Sequence, residues 1–99
     1  MVNSGSKNSR RSPIEILEEN FGQSFKELSR EDRFALVILM GQIARSQKMD
    51  YSLTDAYREL PGENVSDKLF NLLGELSESL TESNLIDSCQ ELIESLRIE

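Results

Sequence analysis

Apolar and polar positions follow a helical period along most of the chain, and one stretch departs from it. Residues 34–44 read FALVILMGQIA. On a wheel of about 100° per residue, Phe34, Val37, Ile38 and Gly41 cover one side and Leu36, Leu39, Met40 and Ile43 the other. Ser29 is placed as an N-cap, and Glu31 and Asp32 fall in the first turn, where carboxylates suit the positive end of the helix dipole. Arg45 and Lys48 fall near the opposite pole. The pattern predicts a helix at about 30–47. A helix apolar on every side is buried on every side or spans a membrane. This one is too short to span, which takes about 20 apolar residues, and charges bracket it. It is therefore expected to be wrapped by other elements, by a second copy or by a partner. Gly41 lowers helix propensity by roughly 1 kcal/mol relative to Ala.

The flanking segments supply the wrapping. Ser12-Pro13-Ile14-Glu15 combines a capping box with Pro at the first helical position, and Gly22 ends the helix that follows. Its stripe is Ile14, Leu17 and Phe21. Ser24 to Glu27 repeats the capping pattern with room for only one turn, which Phe25 and Leu28 pin to the core. A helix at about 53–60 follows, with Leu53, Ala56, Tyr57 and Leu60 on one face. Pro61-Gly62 ends it. Ser66 caps a helix to about 80, whose stripe is Leu69, Leu72, Leu73, Leu76 and Leu80. A last helix at about 84–97 carries Leu85, Cys89, Leu92 and Leu96, widened by Ile86 and Ile93. The short link at residues 81–83 predicts that these last two helices are antiparallel neighbours. No alternating strand pattern or repeat occurs. The predicted fold is all-α: a small bundle of four main helices plus a one-turn helix, packed around the central apolar helix at about 30–47. Residues 1–11, rich in Ser and Asn with Lys7, Arg10 and Arg11, predict a disordered basic arm before a single helical domain at 12–99.

Composition narrows the chemistry. The 99 residues contain no His and no Trp, and the net charge is −7. Without His, the usual near-neutral acid–base group and the commonest zinc ligand are missing. Cys89 stands alone, so no internal disulfide forms, which fits a reducing, cytoplasmic setting. The N-terminus has no apolar signal segment. The acidic balance argues against free nucleic acid or an anionic membrane as the main ligand.

Each candidate site has a plain alternative. Between Leu69 and Leu96 there is no Lys or Arg, and Asp87, Glu91 and Glu94 line the last helix opposite its apolar stripe. They suit either a docking surface for a basic protein patch or a solvated face that maintains solubility. They lack the glycine and spacing of a calcium loop. Glu18-Glu19 and Glu31-Asp32 are sequence neighbours that point about 100° apart on a helix, which suits surface better than acid–base catalysis. Cys89 has no His to activate it and reads as a small apolar residue. Residues 34–60 have the layout of a helix-turn-helix, but the second helix would offer Thr54, Asp55, Arg58 and Glu59, one cation against two acids.

The central helix is the remaining candidate. If its neighbours cover it incompletely, Leu36, Met40 and Ile43 are the face expected to meet a twin subunit or partner. Ordinary core is the alternative. The sequence thus predicts a non-enzymatic helical protein–protein interaction module, a small regulatory or adaptor protein able to form a homodimer. Its protein-binding residues would be Leu36, Met40, Ile43, Asp87, Glu91 and Glu94, with no catalytic, cofactor-binding or metal-binding residues. The alternative is a nucleic-acid-linked regulator, either an atypical helix-turn-helix or an acidic protein competing for a nucleic-acid site.

Overall fold

The computed structural model describes residues 11–46, 50–60 and 64–98. These form helices α1 (Pro13–Phe21), α2 (Arg30–Ser46), α3 (Leu53–Glu59), α4 (Asp67–Ser79) and α5 (Glu82–Ile98), with a 3-10 turn at Gln23–Phe25 between α1 and α2. No strand occurs among the described residues. Apart from Arg11, the expected basic arm lies outside the described residues. The Arg11 guanidinium pairs with Glu19 of α1 and, at 2.6 Å, with Glu75 of α4.

Local chemistry sets the helix starts. Ser12 and Glu15 exchange side-chain-to-backbone bonds of 3.1 and 2.8 Å, and Ser52 and Asp55 do the same at 3.1 and 3.0 Å. The Ser29 hydroxyl accepts from the Asp32 amide, and the Ser66 hydroxyl from the Leu69 amide. Thr81 and Asn84 form a reciprocal pair that starts α5 two residues before its predicted beginning. Each arrangement satisfies amide donors that the first helical turn leaves open. Gly22 ends α1 at φ 90°, a conformation glycine adopts without strain. Ser24 and Phe25 are also left-handed, at φ 59° each, so the chain reverses sharply and drops the Phe25 ring into the core.

The core gathers apolar residues from every helix, among them Leu17, Leu36, Met40, Leu53, Leu73 and Leu92. Full burial of each such side chain contributes about 1.5–3 kcal/mol. Two charged residues join them. Arg33 is buried and donates to the carbonyls of Leu28 (2.9 Å), Phe25 (2.8 Å) and Ser95 (3.3 Å). It ties the reversal before α2 to the C-terminal end of α5, where the helix dipole favours a cation. Asp32 is buried beside it and accepts from the Ser66 amide (3.1 Å) and hydroxyl (2.7 Å), which fixes the start of α4.

One expectation is narrowed and one needs correction. Within this chain the other helices cover the central helix on one side. Its inner face, centred on Leu36, Leu39 and Met40, is sealed, whereas Phe34 and Ile38 remain 45% and 44% exposed. The reason is spatial: α2 packs chiefly on α5 and next on α3, and that leaves its outer side open. The last two helices are not the close pair that their short link suggests. Leu80 is extended at the junction, and α5 leaves α4 to lie against α2 and then α1.

Candidate functional site

The α2–α5 pair is antiparallel. Arg33, near the start of α2, reaches Ser95 near the end of α5. At the other end Ile43 and Ala44 share a cleft with Leu85 and Ile86. The buried stripe of α5 runs through Ser88, Leu92 and Ser95. On a helical wheel Ile86, Cys89 and Ile93 lie to one side of that stripe and Asp87, Glu91 and Glu94 to the other. The shared cleft shows that the Ile86 side is the one turned toward α2. Phe34, Ile38 and Gly41 of α2 and Ile86 and Ile93 of α5 are thus exposed positions on two helices that pack on each other, with Phe34 also bordering the segment at Asn64–Ser66.

This surface is apolar and open. Ile86 is 63% exposed and Ile93 45%, in the same range as Phe34 and Ile38. Fully buried counterparts lie one or two residues away in each helix, so the exposure belongs to one side of the pair. A Cβ at Gly41 would meet no neighbouring element within 4 Å, so the α2 face is open there and its backbone uncovered. The Arg30 guanidinium lies 5.2 Å from the centre of the Phe34 ring and caps one end by a cation–π contact.

The residues expected to form the site divide. Leu36 and Met40 are fully enclosed and present nothing to a partner; they belong to the inner face of α2, and Ile43 is half-buried at its edge. The face anticipated on the central helix is open on its opposite side. Asp87, Glu91 and Glu94 are exposed, as solvated acids or docking acids must be. Glu94 lies 3.6 Å from Arg97, and both are well exposed, so the pair contributes little. Sequence reasoning missed Phe34, Ile38, Ile86 and Ile93 as a set. The available signal was that all four sit away from the leucine positions of their helices.

Other candidates are weaker. A cleft of about 690 Å³ lies between the C-terminal end of α2 and the start of α5, lined in part by Ile43, Tyr51, Ser77, Leu80, Glu82 and Ile86. Its Ser77 hydroxyl already accepts from the Leu53 amide and donates to the Leu73 carbonyl. Tyr51 is bonded to Glu59, which raises the pKa of its phenol. Burial raises the pKa of the Cys89 thiol, which disfavours the thiolate a nucleophile needs. In α3, Asp55 is committed to capping and Arg58 lies 3.6 Å from it, so this seven-residue helix offers no cationic face for DNA. Among the described residues no group of His, Cys, Asp and Glu could hold a metal ion, and no helix is long and apolar enough to cross a membrane. Comparison with known protein families, curated proteins and solved structures finds no match.

Proposed function

We propose that this protein is a non-enzymatic helical interaction module, a small regulatory or adaptor protein of a reducing compartment such as the cytoplasm. It binds protein through the outer face of α2 and α5. The observation that carries this reading is the grouping of Phe34, Ile38, Ile86 and Ile93, each 44–63% exposed, on two adjacent helices. Isolated exposed apolar residues are ordinary, but a contiguous set on one surface marks an interaction site. The acids of α5 border that surface and add long-range attraction toward a basic partner, acting more on encounter rate than on affinity.

The test compares capture by wild-type protein with capture by Phe34→Asp and Ile93→Asp variants, using tagged full chain in native lysate with and without nuclease. Protein capture that resists nuclease and is lost in both variants supports the reading. Capture that both folded variants retain overturns it, and capture that disappears with nuclease favours the nucleic-acid-linked alternative.

A further inference from the structure

We propose that the outer face of the α2–α5 pair is closed by a second copy of this chain, about a two-fold axis that crosses both helices. The proposal rests on reading this face as the interaction surface and names its occupant.

The argument comes from the order of side chains along each helix. An antiparallel contact between identical helices pairs residues that stand equally far before and after one point. On α5, take that point between Cys89 and Gln90. Ile86 then faces Ile93 of the second copy, and Glu82 faces its Arg97. Apolar meets apolar near the middle, and opposite charges meet at the ends. Both isoleucines are exposed, and so are Glu82 and Arg97. On α2, take the point between Val37 and Ile38. Phe34 then faces Gly41 of the second copy. The half-exposed Phe34 ring meets the bare backbone at Gly41, where even a Cβ would meet no neighbouring element within 4 Å.

One axis serves both helices. The Arg33 side chain reaches Ser95, and Ala44 shares a cleft with Leu85, so the antiparallel pairing puts the α2 point opposite the middle of α5, near residue 91. The two points fall within about one helical turn of each other. Such self-complementarity is the property that an isologous two-fold interface requires. Asp87, Glu91 and Glu94 lie on the side of α5 away from α2, at the border of the contact. Arg30 and Arg45 of the second copy also fall opposite each other. Both are exposed at the rim, where salt screens the repulsion.

The test is solution mass by sedimentation equilibrium of the full chain across micromolar concentrations. Wild type is expected at twice 11.3 kDa. Gly41→Leu is expected to be monomeric with its helical circular dichroism retained, because the substitution blocks close approach at an exposed position where a Cβ meets no neighbouring element of its own chain. Glu82→Lys alone and Arg97→Glu alone each turn two symmetric attractive pairs into repulsive ones and should weaken association about tenfold. An equimolar mixture of the two variants restores both pairs and should recover heterodimers. A wild-type protein that stays monomeric overturns the proposal, and so does a dimer indifferent to Gly41→Leu and to the charge exchange. If wild type is monomeric while Phe34→Asp still abolishes protein capture, the dimer falls and the interaction-module reading stands. If neither association nor capture depends on this face, both fall.

Discussion

The two faces of α2 are made of similar residues and have different fates. Leu36, Leu39 and Met40 point inward and are fully enclosed; Phe34 and Ile38, from the same turns, point outward and stay nearly half exposed. Apolar character does not separate them. What separates them is where the other helices lie: α5 and α3 approach α2 from the inner half. A helix with side chains is about 10 Å across, and neighbours on one half cannot shield the other. The comparison teaches that an apolar surface states what a residue can do, whereas the neighbouring elements decide whether the same chain does it.

The largest break in the comparison should come from charge. Met40→Asp places a carboxylate at a fully enclosed position among apolar side chains, a change expected to cost more than about 4 kcal/mol and to abolish the cooperative thermal transition. Ile38→Asp, measured in dilute solution, should leave the transition within about 1 kcal/mol of wild type. Circular dichroism melting of the two variants decides the point. If Ile38→Asp unfolds and Met40→Asp melts like wild type, the inner and outer faces have been exchanged.

Charge position sharpens the same contrast between Arg33 and Arg30. Arg33 joins two carbonyls of the turn before α2 to one near the end of α5, so Arg33→Met leaves buried acceptors without their donor and should cost about 3 kcal/mol in denaturant unfolding. Arg33→Lys should recover only part of that, because a single ammonium nitrogen cannot span carbonyls that three guanidinium nitrogens reach. Arg30 lies over Phe34 on the outer face, and Arg30→Met should cost less than about 1 kcal/mol. Equal losses at the two positions would mean that Arg33 is not the internal tie described above.

These residues also mark how far the sequence could be read. Capping residues announced α1, α2 and α4, because a cap is a local arrangement of neighbours in sequence, and leucine spacing announced the inner stripes. Arg33 and Asp32 gave no such signal. They stand in a run of four charged residues that reads as a solvated helix start, and their partners lie 34 and 62 residues away. The candidate surface was legible in kind, since an over-apolar helix had to be covered by something. Leu36 and Met40, the residues expected there, lie on the enclosed side of α2, half a turn from Phe34 and Ile38, and which side is enclosed depends on where α5 lies. The direction of α5 follows in turn from the extended Leu80 junction and the Arg33–Ser95 contact, neither of which has a local pattern.

The smallest effect has the opposite sign and returns to the outer face. Gly41 stands inside a helix, where glycine disfavours the folded state by roughly 1 kcal/mol relative to alanine through its freedom in the unfolded chain. In a packed position that cost could be offset by a close neighbour that leaves no room for a methyl group. Here the space is empty within one chain. Gly41→Ala should therefore raise the stability of the isolated chain by about 0.5–1 kcal/mol in urea unfolding at low protein concentration, with an unchanged dependence on urea. A loss of stability in dilute solution would show that the position is crowded from within and that the outer face ends short of Gly41. A gain in dilute solution, coupled to weaker association at high concentration, would give glycine a use that only a second molecule can supply.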